Sequence, residues 1–407
     1  MSKDCTIQDV FHSFYSSFES THDISPAQRK AAYHIMNCKT GAFGVNVSVC
    51  EDCGCISVHY NSCRDRCCPM CQEFPKEKWV DARREDILDA PYFHVVFTVP
   101  EELNPIIYSN QKFLYAALYH AASDTLSELA ADSKYLGTDI GYICILHTWG
   151  STMNFHPHIH AIVLGGGLDA KNHWKDNGKE FFLPIKVISK TFRGKYMAEL
   201  KQLWENDRLE FHGSAAPYKN YYTFKELLNT CYTKEWIPYC KKPFDGAESV
   251  IRYLGKYTHR IAISNYRIKD MTESTVTFSA KDYKNQGLWK EITISGEEFI
   301  RRFLMHVPPK RFVRIRHYGL LSSRNKNTKI TICRNILGCQ KYISRLKDID
   351  TPAMHHPKEK VSVTSSNGCR QRASRNRSTD PTTEKDSFNI ENNTAGQYLC
   401  PVGLHTF

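Results

Sequence analysis

The chain has 407 residues, enough for two or three domains, and its 41% hydrophobic share is ordinary for a globular protein. It contains no run of 18 apolar residues and no apolar segment behind its polar N-terminus. We therefore expect no membrane span and no signal peptide, but an intracellular, cytoplasmic protein. The net charge of +11 favours a polyanion such as nucleic acid as partner.

The N-terminal part combines a helical pattern with a cluster of cysteines. Val10, Phe11, Phe14 and Phe18 share one face of a predicted helix. Nine of the 16 cysteines lie at or before Cys71. In an intracellular protein such clustering favours metal binding over disulfides.

Two CxxC pairs, separated by 14 residues, have the spacing of a structural zinc site. A redox role is the main alternative, although no thioredoxin-like βαβ pattern surrounds the pairs. Whether one or two zinc ions bind is left open. The predicted zinc ligands are Cys50, Cys53, Cys68 and Cys71, with Cys38, Cys63 and His34 as further candidates.

The middle of the chain predicts a sheet with helices. Residues 79–88 are charged and compatible with a helix, and the β-branched and aromatic residues 92–99 predict a buried strand. Residues 112–129 have helical spacing, and residues 142–149 and 158–164 predict two further strands, the second ending at three glycines. This order is typical of an α+β fold with helices on one face of the sheet.

His158 and His160 lie on the last of these strands with one residue between them, so both side chains point to the same face. Paired neutral imidazoles suit Zn, Cu, Fe or Ni, and with oxygen donors they bind Mn or Mg for work on phosphate. Two partly exposed histidines at a strand end are the alternative interpretation.

Further elements follow toward the C-terminus. Residues 190–209, 218–228, 246–258 and 297–305 have helical patterns, and short strands are predicted at residues 261–264, 275–279 and 291–295. Residues 349–407 are rich in Ser, Thr, Asn and charge, which predicts a disordered tail.

Tyr253 and Tyr257 are spaced to share one face of a predicted helix, with Lys256 and Arg260 close by. Paired tyrosines usually serve packing. A phenol that attacks a phosphodiester needs a metal to polarise the phosphate and cations to stabilise the phenolate. The histidine pair and these cations supply both requirements.

Residues 301–347 contain 13 Lys or Arg residues and no acidic residue. Interleaved aromatic and apolar residues indicate a folded surface for a polyanion, with a merely solvated basic face as the alternative. The candidate DNA contacts are Lys256, Arg260, Lys310, Arg311, Arg314 and Arg316.

The motifs together resemble the rolling-circle transposases of the insertion sequence 91 family, which belong to the HUH endonucleases. The resemblance runs from about His34 to Asn325 in the family's order and leaves out the tail. It rests on the CxxC pairs, residues 92–100 and 147–149, His156–His160, Tyr253–Tyr257 and His306–Gly319.

This resemblance implies a zinc-binding domain at residues 1–76 and a catalytic and DNA-binding domain with an antiparallel palm sheet at residues 77–348. His158 and His160 would hold Mg or Mn. A tyrosine would attack single-stranded DNA, leaving a 5′-phosphotyrosine link, and the second tyrosine would allow strand transfer. His147 is our candidate third ligand, since its strand is expected to pair with that of His158, and a histidine that only packs within its strand is the alternative. His156, at the strand's entrance, ranks lower.

Three other functions are alternatives to a transposase. A plasmid replication initiator or relaxase shares the HUH chemistry, but the zinc module and the lack of a helicase P-loop favour a transposase. A zinc hydrolase would need motifs such as HExxH, which the chain lacks. A non-enzymatic zinc-dependent DNA-binding protein would use the tyrosines for packing only.

Overall fold

The computed structural model of the chain describes residues 5–50, 54–178, 181, 183–236, 239–241, 246–257, 261–282 and 287–349. The predicted disordered tail lies outside these residues, apart from its first position. Within them, no helix is long and apolar enough to cross a membrane.

The described chain contains both helices and antiparallel strands throughout its length. The helices are α1 (Ile7–Thr21), α2 (Pro26–Met36), α3 (Glu73–Arg84), α4 (Asn104–Ser109), α5 (Gln111–Ala131), α6 (Ile185–Glu205), α7 (Tyr221–Thr233), α8 (Gly246–Tyr257), α9 (Gly296–Leu304) and α10 (Lys329–Leu337). The strands are β1 (Val45–Val49), β2 (Ile56–Tyr60), β3 (Tyr92–Thr98), β4 (Asp139–Trp149), β5 (Phe155–Leu168), β6 (Trp174–Asp176), β7 (Tyr239–Lys241), β8 (Ile268–Met271), β9 (Thr275–Asp282), β10 (Leu288–Ser295) and β11 (Ile315–Gly319). The predicted α+β class is confirmed.

The central sheet has the strand order β11-β4-β5-β3-β7, with β6 paired to β5, and every pair is antiparallel. The three predicted strands around the histidines are therefore neighbours. Strand β5 continues through its glycines to Leu168 instead of ending there. At Gly166 a Cβ atom would lie 2.4 Å from the Trp174 ring, and at Gly167 it would lie 2.4 Å from the carbonyl oxygen of Asp139. Glycine at these positions therefore permits the close packing.

Both faces of the central sheet are covered in part. The long helices α5 and α6 pack on one face in the largest apolar core of the described chain, as the helix pattern predicts. On the other face, Val250 of α8 and Ile330 of α10 meet Ile143, Ile145 and Ile162 of the sheet. Beyond this small core, the same face carries the histidines at one end of the strands.

The N-terminal helices share a core with a second sheet, whose order is β10-β9-β8. The predicted N-terminal helix is α1, and a second helix, α2, follows it; the two begin at side-chain caps on Thr6 and Ser25. Phe14 of α1 lies so close to Gly296 that a Cβ there would be 2.2 Å from its ring. The strand predicted at residues 261–264 is wrong: this segment is irregular, and its three apolar side chains are buried in the shared core.

Candidate active site and metal centres

Strand register brings three histidines together. His147 lies opposite His158 in the β4–β5 pair, and Ile145 lies opposite His160. Because side chains alternate along a strand, His158 and His160 point to one face, beside His147. One nitrogen of each imidazole lies within 4.8 Å of the others, in a group that could hold a metal ion. The structure thus places His147, the candidate third ligand, beside the two motif histidines.

The ring of His158 is oriented by the backbone. Its Nδ1 donates to the carbonyl oxygen of His156 at 2.7 Å, which leaves Nε2 as the nitrogen that could bind a metal ion. Burial and the neighbouring imidazoles hold the pKa of His158 well below its usual value, so the ring is neutral, as metal binding requires. His156 is outside the three-histidine group and contributes its carbonyl group to this hydrogen bond.

The separation of the two motif nitrogens fits a small divalent cation. His158 Nε2 and His160 Nε2 are 3.0 Å apart. Adjacent ligands of an octahedral ion with bonds of 2.0–2.1 Å are about 3 Å apart. Imidazoles alone suit Zn, Cu, Fe or Ni, and a site that phosphate and water oxygens complete could also take Mn or Mg.

Tyr253, on α8, reaches this group from the other side of His160. Its Oη is 3.0 Å from His160 Nδ1 and 2.7 Å from His94 Nε2. These two nitrogen atoms are themselves 2.8 Å apart. Tyr257 and Lys256 lie in the last turn of α8, and nothing is described of their side chains, while Arg260 lies outside the described residues. Of the two predicted tyrosines, Tyr253 is therefore the one whose hydroxyl is described at the histidine site.

His94 is the residue of this site that sequence reasoning missed. It lies on β3 with only 4% of its surface exposed and stacks on His160. A signal was available, because an imidazole inside a β-branched, aromatic strand needs a polar partner when it is buried. The sequence did not reveal that this partner is a predicted catalytic residue.

The cysteines form a different group from the one that the CxxC spacing predicts. The sulfur atoms of Cys38, Cys63, Cys68 and Cys71 lie within 4.8 Å of one another. Cys63 Sγ and Cys71 Sγ are 3.7 Å apart, which fits four thiolates at about 2.3 Å from one zinc ion. Cys50 is not in this group, and Cys53 lies outside the described residues.

The β1–β2 hairpin is the physical reason for this difference. Its strands pair from Val45–Tyr60 at the base to Val49–Ile56 near the turn. Cys38 and Cys63 flank the base, while Cys50 lies past the other end, roughly 13 Å away along the strands. His34, the remaining candidate, pairs instead with Asp65, with Nδ1 3.0 Å from the carboxylate.

The predicted DNA-binding cations divide into exposed and partly buried ones. Lys310 and Arg311 are exposed on the loop before β11. Arg314 lies over the Trp149 ring, and burial lowers its pKa. Arg316 lies 4.0 Å from the centre of the Tyr119 ring. Arg66, which lies between Cys63 and Cys68, donates to the carbonyl oxygens of Pro309 and Phe312. These hydrogen bonds connect the cysteine module (Cys38–Cys71) to the basic loop between α9 and β11.

Two family models of known proteins match parts of the chain. Residues 10–99 match the "Transposase zinc-binding domain" model, and residues 141–329 match the "Putative transposase" model. No solved structure matches the chain.

Two curated relatives cover most of the chain. "Putative transposase y4qJ" of Sinorhizobium fredii is 40% identical over 82% of this chain and 84% of its own length. "Transposase for insertion sequence element IS801" of Pseudomonas savastanoi pv. phaseolicola is 28% identical over 71% of this chain and 69% of its own length. With these matches and a cysteine cluster inside the zinc-binding region, the chain belongs to the insertion sequence 91 family of transposases.

Proposed function

We propose that this transposase cleaves single-stranded DNA by attack of Tyr253 on a phosphodiester, with His147, His158 and His160 holding Mg or Mn. The observation that carries this proposal is the 3.0 Å contact between Tyr253 Oη and His160 Nδ1, which joins the phenol to the histidine group. Membership in a transposase family supports nuclease and strand-transfer chemistry.

The proposed cleavage is a transesterification, in which the phenol oxygen attacks phosphorus and no water is consumed. A bound Mg or Mn would polarise the phosphate and stabilise its developing charge. The Tyr253 oxygen forms a bond to phosphorus as the bond to the 3′ oxygen breaks, giving a free 3′-hydroxyl and a 5′-phosphotyrosine link. The phenol proton passes to His94 Nε2 at 2.7 Å, and the departing 3′ oxygen takes up a proton from water, to which His94 then returns its own. The phosphotyrosine bond then remains available for rejoining, in which Tyr257 is proposed to alternate with Tyr253.

The DNA would approach over the basic loop. Lys310 and Arg311 are exposed and free to contact phosphates, whereas the ring contacts of Arg314 and Arg316 suit them to supporting the loop. Lys256 and Arg260 stay predictions as phosphate contacts.

The direct test is a covalent adduct. The protein is incubated with single-stranded oligonucleotides from candidate transposon ends and Mn, and products are separated on a denaturing gel. We expect a protein–DNA adduct and a free 3′-hydroxyl fragment. A replication initiator or relaxase would give the same adduct, and family membership favours the transposase. Absence of an adduct with every end sequence, despite DNA binding, would favour a non-enzymatic DNA-binding protein.

Besides accepting the phenol proton, His94 is proposed to position the phenol and His160 through their shared hydrogen bonds. His94→Ala should lower the nicking rate about 10- to 100-fold, as is usual for partners of metal-binding histidines. His94→Gln, which can still hydrogen-bond, should recover part of this loss. His120→Ala, at an exposed position in the middle of α5, serves as control. Equal nicking by His94→Ala and wild type would contradict the role.

Cys38, Cys63, Cys68 and Cys71 are proposed to hold one zinc ion. Cys38→Ser should release this zinc and destabilise the module, because a closed thiolate site contributes directly to folding. Cys50→Ser should keep one zinc per chain. Metal content measured by mass spectrometry, together with thermal unfolding, checks both variants. Zinc loss from Cys50→Ser but not from Cys38→Ser would restore the ligand set predicted from spacing.

A further inference from the structure

The β1–β2 hairpin carries an apolar face that the described chain leaves uncovered. Three cross-strand pairs make up this hairpin face: Val45–Tyr60, Val47–Val58 and Val49–Ile56. All six side chains are 44% to 60% exposed, and none belongs to the three apolar cores of the described chain. The alternate positions on the other face are polar, among them Ser48 and Ser57.

The size of the hairpin face marks it as an interaction surface. The exposed parts of the six residues add up to about 500 Å², at the upper end of what a monomer leaves open without a function. Among the described residues, the β1–β2 sheet has no third strand. A two-stranded hairpin in water is marginally stable, so covering its apolar face would stabilise the module.

The charge of the hairpin disfavours DNA as the occupant. From Thr40 to Cys63 the sequence contains no Lys or Arg, and its two charged residues are Glu51 and Asp52. A surface that binds the phosphate backbone needs cations, which this segment does not offer. The chain's cations lie elsewhere, on the basic loop among other places.

We propose that the hairpin face joins two copies of this chain. The six residues of the face are uncharged, so apposing the face with itself across a twofold axis places no charged side chain of the face in the interface. It would bury about 1,000 Å² in total, the lower limit of a specific interface, so we expect micromolar association. The two hairpins would stack as a small sandwich about 10 Å apart.

Light scattering during size exclusion of the zinc-loaded full chain tests this proposal. At tens of micromolar the wild type should have twice the chain mass of 46.9 kDa. Val47→Lys, at the centre of the hairpin face, should have the monomer mass because dimerisation would bury its charge. Ser48→Lys places the same charge on the opposite face of the same strand and should remain dimeric.

A mixing experiment distinguishes a specific interface from general disruption. Position 47 lies in the central pair, so its two copies lie near any twofold axis through this face. Val47→Lys and Val47→Glu should each be monomeric, and a mixture of the two should recover dimers. If Val47→Lys loses zinc, the milder Val58→Thr should raise the dissociation constant instead.

Three results would overturn the proposal. One is a wild type that has the monomer mass. If Val47→Lys then also lowers the affinity for DNA, the face binds DNA instead of a second copy. Another is a dimer that persists in zinc-loaded Val47→Lys. The third is equal dissociation of Ser48→Lys and Val47→Lys.

Discussion

His158→Ala should abolish DNA cleavage while leaving DNA binding within about threefold of wild type. The ring provides one of three nitrogens in the proposed ion site, and losing the polarised phosphate should slow nicking at least ~10³-fold, or about 4 kcal/mol. Binding should persist, because exposed cations such as Lys310 and Arg311 lie on another element. Nicking of a labelled oligonucleotide and filter binding measure the two effects separately.

His156→Ala is the matched control for this prediction. It removes the same kind of side chain two positions earlier on β5 but keeps the carbonyl group that orients His158. Its nicking rate should stay within a few fold of wild type. Equal losses of binding and cleavage in His158→Ala would mean that the residue serves DNA affinity or folding instead of metal binding.

Tyr253→Phe should remove the covalent adduct formed in the first cleavage. The change deletes only the hydroxyl oxygen that contacts His94 and His160, and the ring remains to pack. Without this oxygen no bond to phosphorus can form at this position, so adduct formation should fall at least ~10³-fold. Denaturing gels with end-labelled DNA measure the adduct.

Tyr222→Phe is the control. Tyr222 lies on α7 and is 78% exposed, so the change should leave adduct formation unchanged. The double variant Tyr253→Phe with Tyr257→Phe should form none. An adduct that survives the double change would refute tyrosine chemistry at this site, whereas one lost only with Tyr257→Phe would assign the first attack to Tyr257.

Local patterns predicted much of the fold. The strand at β3, the long helix α5 and the alternation that places His158 and His160 on one face all depend on the spacing of side chains along one segment. The strand predicted at residues 261–264 is wrong because a short apolar run does not by itself specify a strand. Its short apolar run is buried in an irregular segment beside the N-terminal helices, and burial alone does not distinguish this from a strand.

Strand register decided the composition of the histidine site. His147 joins the motif pair because β4 lies beside β5 with His147 opposite His158. His94 enters because β3 pairs with the other edge of β5. Partners across a sheet follow from long-range pairing, which no local spacing specifies.

The sequence by itself determined the chemistry available to this protein: paired imidazoles, paired phenols, clustered thiolates and a basic segment, all in the order of a transposase family. The tertiary structure decided which of them meet. It joined Cys68 and Cys71 to Cys38 and Cys63, because a hairpin carries Cys50 away from its own base. It also placed Tyr253 against His94, a contact between residues 159 positions apart. Ligand sets depend on distances in space, and folding brings distant residues together in ways that sequence spacing does not record.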